Sequence, residues 1–194
     1  MIMKKLLCLV LALLCIASFA LADSVPSKST ADMVSVQVQG NIPADSGFVL
    51  TPVVDSITYQ VAVEACQNQI EKLAASASVE AYFGEVKDGD GNVISLKEIL
   101  GTDTLNVNEF MPVVVENYEE SYGDVTATFQ FSTPYAQGEE VLVLVGVINA
   151  LTGEVEWVAL PGVGAADGGI EVTFTAAILS AIQSNTAMMA VVSK

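Results

Sequence analysis

The chain contains no histidine and no arginine, and these absences exclude several chemistries. Histidine is the commonest general base and a frequent metal ligand, so a Ser-His-Asp or Cys-His arrangement within one chain is impossible. Zinc is disfavoured too, because a single cysteine beyond residue 22 would leave only carboxylates as ligands. The phosphate-binding patterns GxxxxGK[ST] and GxGxxG are also missing. The sequence thus argues against a hydrolytic triad, a zinc enzyme and a nucleotide-binding protein.

Positive charge is scarce throughout. The formal net charge is −16, and it becomes −18 when the first 22 residues and their two lysines are left out. Nucleic-acid binding requires clustered cations, and anionic membrane surfaces attract the same residues. We therefore expect no nucleic acid and no anionic membrane as partner, and we interpret the acidity as a source of solubility and self-repulsion. The lysines beyond residue 22 are Lys28, Lys72, Lys87, Lys97 and Lys194.

The first 22 residues have the pattern of a cleavable export signal. Lys4 and Lys5 precede an apolar run over residues 6–18, and Ala20-Leu21-Ala22 forms a small-x-small cleavage site. The run is shorter than the roughly 20 residues that a membrane span needs. The sequence predicts cleavage after Ala22, a secreted, extracellular protein, and a flexible leader over residues 23–31.

One cysteine, Cys66, follows the predicted signal. Its apolar neighbours favour a buried side chain that acts as a small hydrophobe, with an intermolecular bridge as the alternative. Without internal disulfides, stability must come from a hydrophobic core, and this chain is long enough to form one.

Residues 32–103 read as a small α+β region. Alternation over Met33–Gln39 predicts a half-buried strand, and Phe48–Val54 a second one. Apolar residues three or four apart predict an amphipathic helix near residues 57–75. Strands over 79–86 and 92–96 are expected to form a hairpin around Asp88-Gly89-Asp90-Gly91.

Residues 104–194 are almost wholly β in pattern. Six strands are predicted within about ninety residues, among them a continuously apolar one at Val141–Ile148. This density of strands and turns favours an antiparallel β-sandwich of immunoglobulin-like size. The fold class is α+β, mainly β, with a boundary near residues 101–105, and one continuous domain is the alternative.

The strand sequences of this second region carry a resemblance. Val125–Phe131, Val141–Val145, Glu154–Trp157 and Gly169–Thr175 resemble β-sandwich, immunoglobulin-like modules of secreted or cell-surface proteins of Gram-positive anaerobic bacteria. The resemblance implies an adhesive or spacer role. It brings no catalytic residue and does not extend to the helix-bearing first region.

The cluster at residues 88–92 has the closely spaced oxygens that a hard cation such as calcium binds. Asp88, Asp90 and Asn92 would be the ligands. Neither possible EF-hand register places glycine at the sixth position and glutamate at the twelfth. We interpret the cluster as a hairpin turn, with weak calcium binding as the alternative, and expect no other cofactor.

The candidate recognition surface is the connection between two predicted strands at residues 116–123. Tyrosine rings with polar tips and neighbouring acids suit a sugar or a peptide, although a solvated connection has the same composition. Tyr135 is a second candidate, whereas Trp157 is expected in the core. The tentative ligand-binding residues are Glu116, Asn117, Tyr118, Glu119, Glu120 and Tyr122.

The sequence as a whole favours an exported, non-catalytic binding or structural protein at the bacterial cell exterior. Its expected partner is a cell-wall or extracellular glycan or a protein. One alternative is a carboxylate-dependent glycan hydrolase, which two carboxylates converging in an aromatic-lined cleft would support. The other is a self-assembling surface subunit, in which a strand such as Val141–Ile148 pairs with a neighbouring chain at a sheet edge.

Overall fold

The computed structural model describes residues 33–53 and 57–194. The predicted signal peptide, its cleavage site and the leader lie outside these residues. Ten strands are described: β1 Met33–Gln39, β2 Val49–Pro52, β3 Val86–Lys87, β4 Val93–Ile94, β5 Asn106–Glu116, β6 Val125–Phe131, β7 Glu140–Ile148, β8 Val155–Gly164, β9 Ile170–Phe174 and β10 Ala187–Ser193. The four helices are α1 Gln60–Ala75, α2 Val79–Phe83, α3 Leu96–Leu100 and α4 Ala176–Ser184. The mainly β, α+β class is confirmed.

All ten strands belong to one sheet. Eight of them follow the order β1-β6-β9-β8-β7-β10-β5-β2 with antiparallel pairing throughout. Strand β3 pairs with β4 and runs parallel to β8. Strands β1 and β2, at the two ends of the path, lie against each other. The sheet therefore joins strands from both sides of residues 101–105. The division of the chain into two domains at this boundary stays a prediction.

The central strands are buried on both faces, which explains their continuous apolar sequences. In β7, Val143 and Val145 point into one hydrophobic cluster, whereas Leu142 and Leu144 point into another. Strand β10 divides in the same way. Both sides of β7 are occupied, by β8 and β10. Val141–Ile148 is therefore a central strand and not a sheet edge, and self-assembly of the chain stays a prediction.

Helices cover both faces unequally. Helices α1, α2 and α3 pack on one face and complete the second cluster, whereas α4 packs on the first cluster. Side chains of Ser78, Ser95 and Thr175 accept hydrogen bonds from backbone N–H groups in the first turns of α2, α3 and α4. Such caps satisfy donors that a helix leaves unpaired at its start. Within the described ranges, no helix has both the length and the apolar character needed to cross a membrane.

Two element predictions in the first region were wrong. The strand expected at residues 79–86 is the helix α2 followed by β3, because Ser78 caps the helix and Gly84 ends it with a positive φ of 61°. The strand expected at 92–96 is only two residues long, since Ser95 caps α3. The hairpin itself is present, as β3 and β4, and the six strands of the second region are present as β5–β10.

Candidate functional site

The two tyrosines of the predicted recognition connection lie beneath the surface. Tyr118 and Tyr122 are 6% and 8% exposed, and their rings meet edge to face with centroids 5.9 Å apart. Phe48 packs against both rings. The Tyr118 hydroxyl donates to the Gly123 carbonyl at 2.9 Å. A ligand could stack on these rings only after the connection had opened.

The polar residues of this connection differ in whether hydrogen bonds to other segments hold their side chains. Asn117 has a positive φ of 54°, and its Nδ2 donates to the Gly47 carbonyl at 2.8 Å. The Glu116 carboxylate accepts the Tyr59 hydroxyl. Glu119 and Glu120 are exposed. Recognition by this connection stays a prediction, and the two exposed acids are the groups through which it would act.

The predicted calcium residues form the turn of the β3–β4 hairpin. The Asp88 carboxylate accepts the backbone N–H groups of Asp90 and Asn92 at 3.0 and 2.8 Å, and also the Asn92 side-chain amide. Hydrogen bonding by the Asn92 side chain is the main cause that lowers the Asp88 pKa. A bound cation would have to displace these donors. The hairpin-turn interpretation is confirmed, and calcium binding stays a prediction.

Trp157 is a core residue, as predicted, and is 4% exposed. Its ring lies over Gly146 of the neighbouring strand β7, where an added Cβ would stand 2.5 Å from a ring carbon. The ring of Tyr135, the second candidate, packs against Phe131. Within the described part of the chain its buried hydroxyl has no hydrogen-bond partner. Burial raises the Tyr135 pKa, and the nearby Asn108 side chain partly offsets this.

A cleft of about 570 Å³ lies where the C-terminal half of α1, helix α2 and the first half of β8 meet. We call it the α1–β8 cleft. Aromatic side chains, one amide, one lysine and three carboxylates line it, together with small residues. The lining residues include Gln69, Lys72, Ala81, Tyr82, Phe83, Glu85, Glu154, Glu156 and Trp157.

The aromatic rings beside the α1–β8 cleft pack against one another. Phe83 meets Tyr82 and Trp157 edge to face, with centroid separations of 4.9 and 4.8 Å. Phe110 extends the same group, 5.9 Å from Trp157. Edge-to-face pairs are a favourable aromatic arrangement, so these rings stabilise this side of the cleft.

Gln69 occupies an unusual position in the cleft. It is 6% exposed, and its Oε1 accepts the Tyr82 hydroxyl at 3.2 Å. Among the residues that the structure describes, none accepts a hydrogen bond from Gln69 Nε2. The amide is placed there because Cys66, Gln69 and Leu73 share the buried stripe of α1, spaced three and four residues apart. Oε1 is thus paired, whereas Nε2 is not closed off from solvent in the cleft.

Burial also governs the two titratable groups behind Gln69. It raises the pKa of the Cys66 thiol to about 12. Burial is also the main cause that raises the Tyr82 pKa, and the proximity of Cys66 adds to it. Both groups are neutral at physiological pH, so the inner end of the cleft carries no charge.

Charge is confined to the outer part of the α1–β8 cleft. Glu85, Glu154 and Glu156 are exposed there, as is Lys72. The three carboxylates come from two separate segments, the start of β3 and the start of β8. Reasoning from the sequence missed this site. The signal that was present is Gln69, a polar residue on the apolar face of a predicted helix.

No protein-family model, curated protein or solved structure matches this chain. The function must therefore be argued from the geometry of the molecule itself.

Proposed function

We propose that the protein acts without catalysis as a binding component at the outside of a bacterial cell, and that the α1–β8 cleft is its binding site. Ligand sites are concave, mostly apolar and equipped with a few polar groups that orient the ligand. The cleft has a volume in the usual range, and polar and apolar groups line it about equally. The predicted connection at residues 116–123 borders a smaller pocket, of about 450 Å³, and its rings are covered.

Gln69 is the observation that carries the proposal. Its Oε1 is held by the Tyr82 hydroxyl, whereas its Nε2 is not closed off from solvent and can donate into the cleft. A ligand acceptor that enters the cleft would satisfy Nε2, while the Tyr82 hydroxyl holds the amide in place. The arrangement is suited to recognition.

Co-sedimentation of the exported protein with insoluble cell walls and polysaccharides tests the proposal. We expect retention on at least one material, and Ala81→Trp should abolish it, because Ala81 is exposed and borders the cleft. Ala177→Trp is the matched control, since Ala177 is an exposed alanine on α4, outside the cleft lining. Equal retention of the two variants would refute the assignment of the site.

The same assay separates the cleft from the two earlier candidates. A double variant, Glu119→Gln and Glu120→Gln, should be retained as well as the unaltered protein if the connection at residues 116–123 is not the binding site. Retention that chelator removes, and that Asp88→Asn also removes, would indicate calcium at the hairpin turn instead.

A carboxylate-dependent glycan hydrolase is the second candidate, and one observation favours it. Three carboxylates stand beside an aromatic wall, which is the arrangement that such a mechanism needs. Against it, Glu85, Glu154 and Glu156 are all exposed, whereas a general acid needs a raised pKa, usually obtained through burial. Release of reducing ends from the retained material, abolished by a single Glu→Gln substitution, would establish hydrolysis.

We also propose the finer architecture, a β-sandwich of immunoglobulin-like size. The first cluster supports it, because apolar residues of β6 and β9 share that cluster with residues of β5, β7 and β10. Nuclear Overhauser contacts between Phe129 and methyl groups of Val143 or Met189 would be expected from two facing layers. N-terminal sequencing of the exported protein should begin at Asp23 if the signal is cleaved as predicted.

A further inference from the structure

The most exposed large apolar side chains of the described residues belong to two segments, the β7–β8 turn and the start of α1. Leu151, in the turn, is 97% exposed. Ile57, just before α1, is 89% exposed, and Val61, in its first turn, is 72% exposed. Single exposed apolar residues are ordinary in soluble proteins, whereas a group of them marks an interaction surface.

Strand pairing brings these two segments to the same end of the sheet. The N–H of Ile148, the last residue of β7, donates to the Thr186 carbonyl at 2.9 Å. Thr186 lines a pocket of about 450 Å³ whose other walls are the start of α1 and the middle of β5. The β7–β8 turn, residues 149–153, begins directly after Ile148. We call this pocket and this turn together the apolar end.

Hydrogen bonds hold the backbone that carries Leu151. Asn149 Oδ1 accepts the N–H groups of Leu151 and Thr152 at 2.9 and 3.3 Å. The Gly153 N–H donates to the Asn149 carbonyl at 2.8 Å, and Gly153 has a positive φ of 72°. A group that is already positioned loses little conformational entropy when a partner buries it. The turn therefore presents Leu151 as a fixed apolar projection.

The apolar end differs from the rest of the surface in charge. Among the described residues that line the pocket or form the turn, none is charged, although the chain as a whole has a net charge of −16. Two copies of so acidic a chain repel each other, and the repulsion is weakest where the contact itself is uncharged. Because the surface carries both a projection and a hollow, it is complementary to a second copy of itself.

We propose that two copies of the chain associate through the apolar end, with Leu151 of each copy seated in the pocket of the other. A two-fold axis satisfies both contacts at once, since the turn and the pocket lie at the same end, and such an interface closes as a dimer. The pocket shares none of its described lining residues with the α1–β8 cleft. The inference therefore stands apart from the proposed function.

Light scattering of the exported protein over a range of concentrations tests the inference. We expect the molar mass to rise from that of one chain to that of two chains and to stop there. Sodium chloride should strengthen the dimer, because it screens the repulsion between two acidic chains. A mass of one chain at every concentration would overturn the inference, as would a dimer that salt dissociates.

Substitutions locate the contact. Leu151→Ser should raise the dissociation constant of the dimer by roughly a thousandfold, because each dimer loses two buried leucine side chains. Val61→Ser, on the pocket side, should also weaken the dimer. Val93→Ser is the matched control, since Val93 is 61% exposed on β4, outside the pocket and the turn. Equal weakening by Val93→Ser and Leu151→Ser would overturn the assignment of the surface.

Cysteine pairs test which groups meet across the interface. A mixture of Leu151→Cys and Val61→Cys, each combined with Cys66→Ala, should form disulfide-linked dimers under mild oxidation, because a disulfide requires closely spaced Cβ atoms. A mixture of Leu151→Cys and Val93→Cys in the same background should not. Equal cross-linking of the two mixtures would overturn the proposed contact.

Two other occupants of the apolar end are outcomes of the same experiments. A mass that rises beyond two chains would overturn the closed dimer in favour of an open chain of copies. Flotation of a single chain with phosphatidylcholine vesicles, lost in Leu151→Ser, would overturn the inference in favour of a lipid surface.

Discussion

The two faces of the sheet are built differently. The first cluster is apolar, is closed by α4 and by the strands β6 and β9, and covers Tyr118 and Tyr122. The second cluster lies under α1, α2 and α3, contains the Phe83, Phe110 and Trp157 rings and the Cys66 thiol, and borders Gln69 and the α1–β8 cleft. Both clusters contain buried rings and stabilise the fold, but the α1–β8 cleft and the Gln69 amide border the second one. We propose that function lies on the face under α1, α2 and α3, and the following predictions test that proposal.

The largest effect is expected from truncating one buried ring on each face. Phe174→Ala in the first cluster and Phe110→Ala in the second should each lower the free energy of unfolding by about 4 kcal/mol, because both rings are fully buried. Urea titration measures this. Only Phe110→Ala should also disturb the cleft, since Phe110 supports Trp157. Equal effects of both variants on ligand binding would contradict the division between the faces.

A methyl group added to a glycine should have the next largest effect. Gly146→Ala places a Cβ 2.5 Å from the Trp157 ring, so the ring must move, at a cost of about 2 kcal/mol. Gly162→Ala on the first cluster meets valine and isoleucine methyl groups at 3.0–3.1 Å and should cost less. The chain has a single tryptophan, so its fluorescence reports the movement directly. An unshifted emission spectrum in Gly146→Ala would show that the ring is not held there.

The buried thiol predicts a dependence on pH. The Cys66 pKa rises from 9.0 to about 12 in the folded protein, so the thiol binds its proton more tightly in the folded state than in the unfolded one. Its contribution to stability is therefore complete below pH 9 and is lost as pH rises from 9 to 12. We expect a loss of about 1 kcal/mol between pH 9 and 10. Cys66→Ala should show a smaller slope in urea titrations over that interval, and an identical slope would contradict the burial of the thiol.

The smallest effect is expected at the hairpin turn, outside both clusters. Asp88→Ala removes the acceptor for two backbone N–H groups and should lower the thermal midpoint slightly. Asp90→Ala is the control, because no described hydrogen bond uses the Asp90 carboxylate. Since hydrogen bonding lowers the Asp88 pKa, its contribution is present at neutral pH and is lost on acidification. A larger loss for Asp90→Ala would contradict this account of the turn.

The pattern of apolar residues along the sequence predicts most of the strands and the longest helix. The sequence predicts the six strands of the second region and the helix near residues 57–75 because each shows alternation, a continuous apolar run or a three-to-four spacing. Residues 79–83 were misassigned because Val79, Ala81 and Phe83 alternate with polar residues as a strand would. The segment is a helix, and the Ser78 side chain caps its first turn. A cap is a local contact that the spacing of apolar residues does not reveal.

The candidate site was less accessible from the sequence because it is assembled from distant segments. Glu85, Glu154 and Gln69 meet only through the parallel pairing of β3 with β8 and the packing of α1, and neither is encoded in local spacing. Tyr118 and Tyr122 have polar neighbours in the sequence, which favoured an exposed recognition surface. In the structure, Phe48 packs against both rings and they are buried. The sequence shows which residues are neighbours along the chain, but it does not show which residues become neighbours across the sheet.

The position of β10 bears on the order in which the chain can fold. It is the last of the ten strands to be synthesised, yet it lies between β7 and β5 in the middle of the sheet. Until residues 187–193 emerge, β7 and β5 each lack a neighbour, and both clusters lack the methionine and valine side chains that β10 supplies. Pairing across such sequence distances is slow, because the intervening loops must close first. The middle of the sheet therefore closes only after the last described strand has been synthesised.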